Sequence, residues 1–210
     1  MKKLLVKSLV LLAPLALIAG GSASAQTITF DDIAIDSIGA IYDGYAGFNW
    51  DNFGYIKNTY HPGSGYDNGV VSGEYAGYNL NAYVATMEDV AFMFTGAYFT
   101  AAWNTDLNIR IDGYDNNNSI INTATIVVDY DAPTLFMARW TNLYKLSFTS
   151  WGGTGAVSGG SGAHFAVDNL TVNQCQMDPI TPVPEPATML LFGTGLAGLA
   201  AVARRRKTQA

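Results

Sequence analysis

Apolar and polar positions alternate along most of the chain between residues 26 and 174, and they predict strands. Ile28 and Phe30 alternate with threonines and open the series, after which Asp31-Asp32 interrupts and the apolar phase shifts to Ile33 and Ile35. Residues 42–69 carry no such period and read as a long loop, and Val70 to Gly73 reads as a short apolar strand or bend. Val90, Phe92, Phe94, Tyr98 and Phe99 predict a buried pair of strands within 90–101. Leu107, Ile109 and Ile111 alternate with Asn108, Arg110 and Asp112, the mark of a half-buried strand. Asp115 to Asn118 is turn chemistry, followed by strands at 120–128, at 135–140 and around Leu146 and Phe148. A Gly/Ser-rich loop is expected at 151–162, then a last strand from Phe165 to Val172 with a second phase shift at Asp168-Asn169. There is no convincing helix and no internal repeat. About eight to ten short strands separated by turn signals predict an all-β fold, an antiparallel β-sandwich of jelly-roll type.

The two ends follow different rules. Met1-Lys2-Lys3 and Lys7 form a basic start, Leu9 to Ala19 an apolar run, and Ala23-Ser24-Ala25 fits the small-residue rule for leader-peptidase cleavage before Gln26. An uncleaved N-terminal anchor is the alternative, against which stand the shortness of the run and the cleavage site close behind it. At the other end Val183-Pro184-Glu185-Pro186 precedes the uncharged run Ala187 to Ala203 and the basic cluster Arg204, Arg205, Arg206 and Lys207. The prolines fix φ and remove amide donors, so this stretch is extended and accessible to an enzyme. The apolar run, as a helix of about 25 Å, just spans a bilayer core. The basic cluster favours the cytoplasmic side.

This three-part tail resembles the PEP-CTERM sorting signal of Gram-negative bacteria that make extracellular polysaccharide. The resemblance implies recognition near Pro184-Glu185-Pro186 by an exosortase, a membrane transpeptidase. Phe30-Asp31-Asp32, Gly44 to Trp50, Tyr98 to Trp103 and His164 to Leu170 also resemble the one-domain jelly-roll members of that class. The expected organisation is a signal peptide at 1–25, a β-sandwich at 26–174, a Pro-rich linker at 175–186, and a transmembrane sorting helix with its basic tail at 187–210.

Charge sharpens this picture. Between residues 26 and 186 only Lys57, Arg110, Arg139 and Lys145 are cationic, against all 17 acidic residues of the chain, a formal −13. Such a surface repels nucleic acid and suits divalent cations. The single Cys175 excludes an internal disulfide, and as a free thiol or an intermolecular bridge it lies after the last strand.

Chemistry is sparser. If the first and last strands are neighbours, the phase shifts bring Asp31 or Asp32 opposite Asp168, and bulges there would free carbonyls. Carboxylates and carbonyls are oxygen ligands for a structural Ca²⁺. The other reading is that these aspartates accept backbone amides at turns. Asp115 to Asn118 lacks the spacing of an EF-hand. Neither His61 nor His164 belongs to a recognisable nucleophile motif, and no G-x-S-x-G or zinc motif occurs; Glu74, Glu88 and Asp89 could form a glycosidase pair, but with 17 acidic residues in the chain a pair by itself proves nothing. Eight aromatics crowd into residues 42–66. Phe48 and Trp50 are assigned to the core, and Tyr55, Tyr60 and Tyr66 are candidates for exposed sugar contacts.

The sequence therefore reads as a non-enzymatic exported protein. It is an inner-membrane precursor processed by leader peptidase and exosortase, then associated with exopolysaccharide at the cell surface or in the extracellular matrix. A carbohydrate-binding module is the first alternative and a polysaccharide-active enzyme the second.

Overall fold

The computed structural model describes residues 24–33 and 35–174. Ala23, Cys175, the linker, the Val183 to Pro186 motif, the expected sorting helix and Arg204 to Lys207 lie outside the described residues. Among those described, no helix is long and apolar enough to cross a membrane.

The predicted all-β architecture is present. The strands are β1 (Ser24–Ile28), β2 (Ile38–Ala40), β3 (Asn49–Asp51), β4 (Phe53–Lys57), β5 (Tyr75–Asn79), β6 (Ala85–Ala101), β7 (Asn104–Tyr114), β8 (Ile120–Val128), β9 (Thr134–Gly155) and β10 (Phe165–Gln174). Among the described residues one short α-helix, α1 (Gly65–Asn68), and three single-turn 3-10 helices interrupt them. Neighbours run β2-β4-β5-β10-β6-β9-β7-β8, with β1 added to β10 and β3 to β6, all antiparallel.

β6 and β9 are long enough to serve two layers. Residues 92–101 of β6 lie between β10 and the first part of β9, while 86–88 lie between β3 and the second part of β9. The register slips between Glu88 and Phe92, where the ladder bends. One layer thus holds β1, β2, β4, β5 and β10, and the other holds β3, β7 and β8. Phe148 on β9 meets Phe53, Phe99 and Phe165 across the gap, with ring centroids 5.6, 5.8 and 6.2 Å away. Phe48 is fully buried and Trp50 is 7% exposed, both in this core as expected.

The stretch read as a loop at 42–69 holds β3, β4 and α1, and β5 follows it. Alternation fails there because this layer is buried on both faces. Phe53 and Tyr55 face the main core, while Ile56, Ala76, Tyr78 and Ala166 form a second cluster with Tyr66 and Trp103. Close approach explains the glycines: a Cβ on Gly77 would lie 2.7 Å from the Phe30 ring. Elsewhere the expected pair of strands at 90–101 is one strand, and β9 runs through the predicted breaks, so the Gly/Ser loop starts only after Gly155. The first phase shift is no bulge. β1 stops at Ile28, Phe30 takes a left-handed φ of 63°, and Ile35 is 88% exposed. The second is a true bulge, with register shifts between Asp168 and Thr171 and Asn169 at φ 51°.

Phe148 touches both layers, so Phe148→Ala should cost roughly 3–5 kcal/mol. Thr149→Ala, one position along and facing out, should cost less than about 1 kcal/mol. Urea denaturation of both variants checks the pair, and equal losses would contradict the assignment of Phe148 to the inter-layer core.

Candidate functional site

The bulge in β10 aims the Asp168 carboxylate at the chain segment before β5. One oxygen accepts the amides of Val71 and Ser72 at 2.7 and 2.9 Å, and the other accepts the amide of Asn169 at 2.6 Å. The Ser72 hydroxyl adds a bond to Asn169 Oδ1 at 2.7 Å. Asp31 closes the other end of the segment, accepting the amides of Glu74 at 2.7 Å and Tyr75 at 3.2 Å. Its carboxylate lies where a Cβ on Gly73 would sit. Two aspartates far apart in sequence thus gather four amides of residues 71–75. Asp32 turns away and accepts the Tyr45 hydroxyl at 2.7 Å. That phenol is pushed well above its usual value, first by burial and then by Asp32.

Asp31 and Asp168 thus hold opposite ends of one chain segment, and the hydrogen-bond partners of both are N–H donors. Among the described residues no group of three or more His, Cys, Asp or Glu side chains is placed to hold a metal ion. Asp168 is fully buried. Its carboxyl is pushed up to about 6, first by burial, against the opposing amides of Ser72, Val71 and Asn169 and with a smaller push from Asp31.

The three tyrosines chosen for sugar contact separate. Tyr60 is 46% exposed, but Tyr55 and Tyr66 are 6% and 3% exposed. Tyr55 is buried because its position on β4 faces the main core, against Tyr75. Tyr66 is turned by α1 between Tyr78 and Trp103. Of the cleavage residues, Ala25 and Gln26 lie in β1, paired with Asn173 and Val172.

Both histidines have partners within the domain. His61 stands edge-on to Tyr60 and Trp103, with centroids 4.9 and 5.0 Å away. His164 Nδ1 lies 3.1 Å from the Asn79 carbonyl, and burial lowers its pKa. Glu74 pairs with Lys57 at 3.0 Å. Glu88 and Asp89 instead line a cleft of ≈ 370 Å³ at the bend of β6 and β9, with Asn49, Asn116, Tyr144 and Lys145 among its walls. The Lys145 ammonium lies 4.0 Å from Glu88, bonds Asn118 and sits 4.3 Å from the centre of the Tyr114 ring. The sequence offered Glu88 and Asp89 as acids only. The amides that complete the cleft come from a hairpin turn and from β3, and only the fold brings them there.

Asp168 gives a signed pH dependence. Its folded value lies above the ordinary carboxylate value, so the stability it adds is complete below about pH 4 and is lost as pH rises through about 6. The cost of Asp168→Asn should then be larger at pH 4 than at pH 7, by about 2–3 kcal/mol. Urea titrations of both proteins at the two pH values measure it. A cost that shrinks on acidification would mean that the amides outweigh burial.

Comparison with known proteins agrees with the two halves of this description. A structure of a DUF4465 family protein from Bacteroides caccae is similar over 71% of this chain and 98% of its own, at 11% identity and a TM-score of 0.53. That likeness is one of fold. TmCBM61 in complex with beta-1,4-galactotriose is more distant, covering 60% of this chain and 86% of its own at 10% identity and a TM-score of 0.34. No curated protein matches the sequence significantly. Residues 182–207 match the PEP-CTERM protein-sorting motif. The chain thus joins an antiparallel all-β domain to a PEP-CTERM protein-sorting motif, which implies an exported protein sorted by an exosortase.

Proposed function

We propose that the protein is a non-enzymatic surface or extracellular-matrix protein, associated with exopolysaccharide after exosortase processing near Pro184-Glu185-Pro186. The observation that carries this reading is the sorting motif at 182–207. Arg204 to Lys207 would hold the precursor's end in the cytoplasm, and the leader would be removed before Gln26. The register of β1 adds a constraint: the bond before Gln26 lies inside a β-ladder. A protease needs that backbone extended and free, so leader removal must precede the docking of β1 on β10.

A carbohydrate-binding module is the second reading. It is favoured by the cleft at the β6–β9 bend, where amides, carboxylates and a half-buried tyrosine converge. Structural Ca²⁺ through Asp31 and Asp168 competes with the amide bonds those carboxylates already make. We propose that the amides hold the segment without a cation.

Replacing Pro184, Glu185 and Pro186 together with alanine should leave unprocessed precursor in the inner membrane, seen by fractionation and immunoblotting. Normal maturation of that variant would remove the basis of the sorting proposal. A second measurement concerns the cation. The melting temperature should be the same in EDTA and in millimolar Ca²⁺. A fall of several degrees on chelation, abolished by Asp168→Ala, would assign the clamp to Ca²⁺ instead.

A further inference from the structure

The layer built on β3, β6, β9, β7 and β8 buries one face and turns the other to solvent. On β7, Leu107, Ile109 and Ile111 are fully buried, so Asn108 and Arg110 point outward. On β9, Leu146 and Phe148 are fully buried, so Lys145, Thr149 and Trp151 point outward by the same alternation. Pairing sets Asn108 beside Trp151, Arg110 beside Thr149, and Lys145 beside Glu88.

Trp151 stands apart from the other tryptophans. Trp50 and Trp103 are 7% and 6% exposed and, like Trp140, sit inside aromatic clusters. Trp151 is 44% exposed, in one cross-strand row with Asn108 and the exposed Val127. From it, six residues along β9 at about 3.3 Å each lead over roughly 20 Å to Lys145 and the cleft. An exposed indole at one end and a cleft lined by Asn49, Glu88, Asn116 and Tyr144 at the other mark the two ends of a track on one side of β9, which passes the half-buried Thr149 and the buried Ser147.

We propose that this track binds an uncharged polysaccharide, laid along β9 from Trp151 to the cleft. The inference rests on the surface-protein reading above and gives it a ligand class. A sugar ring offers an apolar C–H face that stacks on an indole and a rim of hydroxyls that need both donors and acceptors. Amides and threonine hydroxyls supply both roles at once. Charge selects against a polyanion. The cleft carries Glu88, Asp89 and Asp115, and the two cations of the face are engaged, Arg110 with Asp112 at 2.8 Å and Lys145 with Glu88, Asn118 and the Tyr114 ring. No step of bond breaking is involved.

The test is affinity electrophoresis of the full-length chain in mild detergent. The native gels contain galactan, xylan, glucomannan, hydroxyethyl cellulose or the polyanion alginate. At least one neutral polymer should retard the protein. Trp151→Ala should weaken that retardation by roughly tenfold or more, as loss of an anchoring aromatic does. Asn49→Ala, at the far end, should weaken it too, while Tyr83→Ala, an exposed tyrosine off the track, should leave it unchanged. Retardation by none of the neutral polymers, by alginate alone, or equally in wild type and both track variants overturns the proposal. Surface fractionation of the same strains keeps the two readings apart. A protein that is sorted normally yet binds no neutral polymer sinks this inference alone. One that binds but is never sorted sinks the surface reading alone.

Discussion

β6 and β9 each have to satisfy two layers at once, and most of the molecule follows from where they bend. An open sheet in this strand order would leave one apolar face of every strand in water. The slip between Glu88 and Phe92 lets the ladder turn instead, and the two inner faces meet around Phe148. A bulge breaks regular pairing and leaves backbone polar groups unpaired. Here it falls at the rim, where solvent and the hairpin turn at 115–118 are at hand, so the same bend that closes the core also opens the cleft.

The second bulge, at Asp168-Asn169, works at the opposite layer. Burying a carboxylate is costly unless hydrogen bonds replace its water. Three amides reach Asp168, two of them from residues 71 and 72, and Asp31 fixes the next turn of the same segment. With residues 71–75 pinned, the preceding stretch with α1 lies over the outer face of β4, β5 and β10 and seals Tyr66, Tyr78 and Trp103 beneath it. That layer is therefore closed on both sides. The outer face of β3, β6, β9, β7 and β8 has no such cover among the described residues.

The sequence made some of this legible and hid the rest for physical reasons. Strands with one wet face alternate, and β7, β8 and the second part of β9 show it. β4 and β5 are covered on both faces and are rich in glycine and tyrosine, so they carry no period and read as loop. Tyr55 and Tyr66 looked suited to sugars because aromatics between glycines are ambiguous: the same pattern makes an open platform or a tightly packed second core. Asp168 was found by its phase shift, because a bulge moves every later side chain to the other face. Asp31 was found beside it for a partly mistaken reason, since the first shift is a strand end. The cleft was not legible at all. Asn49, Asn116 and Lys145 are far apart in sequence and become neighbours only once β6 and β9 have bent.

The distribution of charge ties the fold to its setting. Of the four cations between residues 26 and 186, three are matched by acids: Lys57 by Glu74, Arg110 by Asp112 and Lys145 by Glu88. What remains on the surface is negative, and at low salt its field extends several ångströms into solvent. Such a protein does not adhere to an acidic polymer by charge, and it repels its own copies at the cell surface. The proposed association with a neutral polymer would rest on contacts that ignore net charge, namely stacking on an apolar ring and paired hydrogen bonds to hydroxyls. The chain's other basic residues stand at its two ends, three before residue 8 and four at 204–207. On the sorting proposal they would set orientation in a membrane there, and the domain between them is left strongly acidic.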